Sequence, residues 1–92
     1  MTTSRPNSED RKVIDRVLQR DLFFRNQLLG RLQADCEYYL HYGNRNIKRL
    51  WAGSINLQIE LMTELYNSFK EDEKPEWITI AEIVEYGKKM TE

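Results

Sequence analysis

The sequence predicts an all-α protein, a small helical bundle with one long N-terminal helix, a short helical turn and two shorter helices. Three observations carry that prediction. Apolar residues recur at spacings of three, four and seven, with no strand-like alternation. Helix-start signals stand at Ser8, Ser54 and Thr79. Gly43, Gly53 and Pro75 mark the boundaries between the periodic segments.

Residues 1–7 read as a flexible lead-in and residues 8–92 as a single helical domain. Ser8 is the expected N-cap of the first helix, because Glu9 and Asp10 place negative charge where the helix dipole favours it. Val13, Val17, Phe24, Leu28, Leu32, Cys36 and Tyr39 then form one stripe, widened by Ile14, Leu18, Leu22, Leu29 and Leu40. The stripe predicts a helix of about 30 residues, ending near Tyr42 with Gly43 in the left-handed conformation. Gly30 and the Arg20–Asp21 step are the places where it would bend or split. Asn44 is a cap for a short turn over Arg45–Trp51, closed by Gly53, with Trp51 as the plug of the corner. Ser54 caps a helix whose apolar face is Ile55, Ile59, Met62, Leu65, Tyr66 and Phe69. After the charged loop Lys70–Pro75, Thr79 and Glu82 form a capping box, with Ile78 and Ile83 as its hydrophobic staple.

Composition narrows the function classes. One cysteine, Cys36, and one histidine, His41, leave no disulfide within the chain, no CxxC zinc site and no His-pair metal motif. No metal or other cofactor is expected. The first eight residues are polar, and nowhere do about 18 apolar residues run together. The expected location is therefore a reduced cytoplasm, without a signal peptide or membrane span. The net charge of −1 hides an asymmetry: residues 1–50 hold ten Lys/Arg against six acids, and residues 51–92 hold four against nine. That split suits a basic binding face, two halves that attract each other, or one copy docking on another. The last option, together with a stripe from Val13 to Leu40 too long for two shorter helices to cover, predicts a homodimer.

No nucleophile–base pair is visible. Cys36 lies on the apolar stripe and reads as a packing residue, with His41 on a different face. The pairs Glu60/Glu64 and Glu82/Glu85 read as solvated helix faces. GxGxxG, P-loop, HExxH and EF-hand patterns are all missing from the sequence, so an enzyme is not expected. Sequence-specific DNA binding is disfavoured by a pI of 5.9 and by acids interleaved among the cations of the long helix.

The informative stretch runs from Leu32 to Gly53. It sets Tyr38, Tyr39, Tyr42 and Trp51 beside Asn44, Arg45, Lys48 and Arg49. Tyrosine rings stack on bases, and guanidinium or ammonium groups hold phosphate. The same groups make protein hot spots. The candidate binding residues are Tyr38, Tyr42, Asn44, Arg45, Lys48 and Arg49. The competing interpretation is a packed corner whose hydroxyl and amide groups tie the loop together.

Within Leu28–Arg45, the run Asp35-Cys-Glu-Tyr-Tyr-Leu40 and the triplet Gly43-Asn-Arg45 are followed by Leu50-Trp-Ala-Gly53. Gln58–Asn67 and Glu73-Lys-Pro-Glu-Trp-Ile78 complete the series. In this order they resemble the eleventh of the large polyvalent protein-associated domains, over roughly residues 28–90. Ile80 stands where that family tends to show a tryptophan, a departure expected to affect packing. The resemblance implies a phage or conjugative-element setting, either as a stand-alone small protein or within a very large polyprotein. It carries no active-site residues onto this chain. The setting it implies is delivery with, or maintenance of, a mobile element against host defences, and the function expected on that basis is a counter-defence factor in the cytoplasm of the infected bacterium. Such a factor would occupy a host defence protein or sequester a cyclic or modified nucleotide messenger. The alternative is an accessory or structural interaction domain with no immune target.

Overall fold

The computed structural model describes residues 8–42 and 44–92. The expected lead-in, residues 1–7, and the expected left-handed Gly43 lie outside the described residues. Four α-helices follow in order, α1 Ser8–Leu18, α2 Leu22–His41, α3 Ile55–Ser68 and α4 Ile80–Thr91, and no strand occurs among the described residues. Short 3-10 turns at Ile47–Arg49 and Glu71–Glu73 interrupt the connections. Ser8, expected as a cap, lies within α1.

The expected single long helix is two helices. It breaks at the Arg20–Asp21 step, because Asp21 leaves helical geometry (φ −70°, ψ 171°) and its carboxylate accepts from the Phe24 amide at 2.8 Å. A short acidic side chain at such a step competes with the helix ladder for backbone donors. The Arg25 guanidinium braces the break, donating from Nε to the Arg20 carbonyl at 2.9 Å and from Nη1 to Ser68 Oγ at 2.8 Å.

That break lets α1 turn back onto α3, which also packs against α2 and α4. Helix α3 is therefore the centre of the bundle. Leu61, Met62 and Leu65 are fully buried there against Ile14 and Val17 of α1, Leu29, Leu32 and Cys36 of α2, and Ile83 of α4. The buried face of α3 also takes in Leu57 and Gln58, while Ile55, Ile59 and Tyr66 sit at its margin. Apart from Leu22, which is exposed, the stripe from Val13 to Leu40 is buried or half-buried within one chain, so its length supplies no motive for a dimer. Arg11 joins the two oppositely charged halves, its Nη1 lying 3.0 Å from Glu64.

Local caps formed where the sequence placed them in two cases. Ser54 Oγ accepts from the Leu57 amide at 3.1 Å, and Gly53 has the left-handed φ of 79°. The Thr79–Glu82 capping box is complete, with Ile78 and Ile83 both fully buried beneath it. The cap of the short turn is Asn46 rather than Asn44, accepting from the Lys48 amide at 3.0 Å.

Gln58 is a buried polar group whose bonds are met. Its amide donates to the Leu32 carbonyl at 3.1 Å and its oxygen accepts from the Ala52 amide at 3.1 Å. It therefore ties α3 to α2 and to the loop that carries the corner.

Candidate functional site

The corner between α2 and α3 is held by Asp35. Its Oδ2 accepts from the Trp51 amide at 2.8 Å, and its Oδ1 accepts from Arg31 Nε at 3.2 Å. Leu50, 4% exposed, is the side chain that plugs the corner. Trp51, expected in that role, is 41% exposed. The correction has a simple cause: Leu50 and Trp51 are neighbours, and pinning the Trp51 amide to Asp35 turns the inward position over to Leu50.

The six candidate residues fall into two groups. Tyr38 is 41% exposed and Tyr42 75% exposed, and their ring centroids lie 6.1 Å apart at a tilt of 45°. The Arg49 guanidinium stands 5.5 Å from the Tyr38 ring centroid, and Lys48 is exposed beside it in the chain. Ile47 and Trp51, on the same connection as Lys48 and Arg49, are exposed as well. Tyr38, Tyr42, Lys48 and Arg49 thus share the corner with a tryptophan that sequence reasoning had assigned to the core.

Asn44 and Arg45 carry the turn itself, with φ of 53° and 57°. Asparagine tolerates the left-handed region, whereas for arginine it costs about 1–2 kcal/mol. The side chain of Arg45 offsets that strain by closing the far end of the bundle. Its Nη2 donates to the carbonyls of Lys89 at 2.7 Å, Met90 at 3.1 Å and Glu92 at 3.3 Å. A cation at the last carbonyls of a helix also answers the negative end of its dipole. Arg45 is therefore engaged with α4 rather than presented to a ligand.

Elsewhere the chemistry is quiet. Cys36 is fully buried, its Sγ 3.7 Å from Met62 Sδ, and burial pushes its thiol up to about 12. His41 Nε2 lies 3.3 Å from Glu37 on the exposed face of α2. Glu60 and Glu64, read from the sequence as a solvated helix face, are half-buried. Burial, then the hydrogen bond to Glu64, raises the Glu60 carboxyl above its ordinary range. Among the described residues no cluster of metal-ligating side chains forms, and no helix is long and apolar enough to cross a membrane.

A second surface was missed in the sequence. Phe23 is 73% exposed and Leu22 39% exposed. With Asn26, Gln27, Asp72 and Glu73 they line an open cleft of about 450 Å³. A signal for it was available: Phe24 belongs to the apolar stripe, so an adjacent Phe23 lies about 100° away from it on the helix.

A family model described as Large polyvalent protein-associated domain 11 matches residues 23–90. The match begins in the first turn of α2 and takes in the corner, α3 and most of α4, leaving α1 outside. No curated protein and no solved structure matches the chain.

Proposed function

The chain belongs to the large polyvalent protein-associated domain 11 family, and from that membership we propose that it is a non-catalytic binding protein of a phage or other mobile element. On this reading it works in the cytoplasm of the infected bacterium as a counter-defence factor. It inhibits a host immune system by occupying the surface of a defence protein.

One observation carries the choice of surface. Tyr38, Tyr42 and Trp51 lie exposed around a corner that also bears Lys48 and Arg49. Exposing three large aromatics on so small a domain forfeits burial worth about 25 cal/mol per Å² of apolar area. Tyrosine, tryptophan and arginine are the residues that dominate binding energy at protein interfaces. A nucleotide messenger is the second occupant, with a base on Tyr42 and phosphate at Lys48 and Arg49. The engagement of Arg45 with α4 leaves that ligand fewer cations, which favours the protein partner.

Phage challenge of defended hosts tests the reading. A phage carrying this gene should plate better than one without it on at least one defended strain. Tyr42→Ala and Arg49→Ala chains that melt like the parent should lose that advantage. Equal plating with and without the gene on every defence tested would instead favour an accessory or structural domain with no immune target. Salt separates the two occupants, because a nucleotide held by two exposed cations is released as ionic strength rises, whereas an aromatic protein interface changes little.

A further inference from the structure

Helix α2 has a face that the described residues leave largely uncovered. Phe23, Gln27, Ala34, Tyr38 and Tyr42 are all exposed and recur at helical spacing along it. The Trp77 ring lies against Gly30, 3.7 Å from where a Cβ there would stand, and is itself 44% exposed. Trp77 therefore stands on this face between Gln27 and Ala34, with the exposed Arg31, paired to Asp35, beside it, along a helix whose 20 residues span about 30 Å.

The two ends of this face carry opposite charge. At the start of α2, Phe23 opens onto the cleft that Asp72 and Glu73 rim. At its end, Tyr38 lies under Arg49, with Lys48 adjacent in the chain. A two-fold interface requires that each patch meet its counterpart in both directions. Two α2 helices crossing antiparallel about residues 32–33 meet that condition. Phe23 of one copy then faces Tyr42 of the other, Gln27 faces Tyr38, and each acidic cleft receives the partner copy's Lys48 and Arg49. A parallel arrangement would stack acid on acid and cation on cation.

We propose that the chain forms a two-fold antiparallel dimer through this face of α2, anchored by Phe23, Trp77, Tyr38 and Tyr42 and registered by the opposed charges. The dimer goes beyond the corner reading and shares Tyr38 and Tyr42 with it, so a tighter partner at the corner displaces the second copy.

Light scattering and sedimentation equilibrium across the micromolar range provide the test. The parent should give about twice the chain mass of 11.1 kDa. Phe23→Asp, on a side chain that is mostly exposed, should keep the helical spectrum and raise the dissociation constant roughly tenfold or more. Charge reversal adds a reading independent of any single variant's behaviour. The pair Asp72→Lys with Glu73→Lys, and the pair Lys48→Glu with Arg49→Glu, should each weaken self-association. Mixed together, the two chains should form heterodimers, because opposite charges then meet at both ends. A parent that stays at 11.1 kDa, a dimer indifferent to Phe23→Asp, or a mixture that fails to associate would each overturn the proposal. Since mass is the readout, such a failure leaves the phage-challenge result untouched.

Discussion

Arg45, at the end of the α2 turn, donates to the Lys89 carbonyl at 2.7 Å and so closes the C-terminus of α4 from 44 residues away. The same residue stands at φ 57°, where a side chain is strained. Stability and strain therefore meet at one position, and substitutions there separate them. Arg45→Ala removes the guanidinium and keeps the strain, and should cost about 1–2 kcal/mol. Arg45→Gly removes both, so it should cost less than alanine. Urea denaturation of the three chains decides this, and equal loss in both variants would mean the left-handed turn carries no strain.

Asp35 holds the corner through the Trp51 amide and Arg31. Asp35→Ala should cost about 1–3 kcal/mol by leaving a part-buried donor unmet. Asp35→Asn, which retains an acceptor, should cost less. In both variants the amide of Trp51 should exchange faster with solvent while the amides of α3 keep their protection. Unchanged exchange at Trp51 would show that the corner is held by packing alone.

Gln58 joins α3 to the Leu32 carbonyl and the Ala52 amide from a fully buried position. Gln58→Met keeps the volume and removes the hydrogen bonds, for an expected loss of about 1–3 kcal/mol. Gln58→Ala should lose more, since it also leaves a cavity. Thermal melts of the two variants should therefore rank parent, methionine, alanine. Reversal of the last two would place the weight on shape rather than on hydrogen bonding.

Cys36 gives a pH dependence with a definite sign. Burial raises its folded-state value to about 12, against about 8.5 in an unfolded chain. Below the unfolded value both states hold the proton and the contribution is fully present. As pH rises through the window between the two values the unfolded chain sheds its proton first, and stability falls. Cys36→Ala should flatten that alkaline decline while lowering stability at neutral pH. In the parent at pH 9, a thiol reagent should react only as fast as the domain opens, whereas in urea it should react at once. Rapid labelling of the folded chain would mean that the thiol is not enclosed.

What the sequence by itself determined is what lies within one or two helical turns. Periodicity identified the helical segments, a lone serine marked the start of α3 at Ser54, and Thr79 with Glu82 three residues on marked that of α4. The apolar stripe identified Cys36 as a packing residue. Caps and helical periodicity depend on spacing along the chain, whereas the burial of Cys36 also needed Met62 of α3 to arrive opposite it.

The tertiary structure decided the rest. Gly30 and the Arg20–Asp21 step both offered a break; the Asp21 carboxylate opens it at Phe24, and Arg25 braces it there against Ser68, 43 residues further on. Leu50 and Trp51 compete for one inward position, and a carboxylate on another helix, Asp35, settled which of them turned in. Arg45 looked like a ligand-binding cation because its acceptors lie 44 to 47 residues further on, where no local pattern points. Phe23 and Trp77 are exposed among the described residues because none of the four helices packs over them. Helix formation is local and is written in spacing, but exposure and hydrogen-bond partnership depend on which elements arrive to cover a residue.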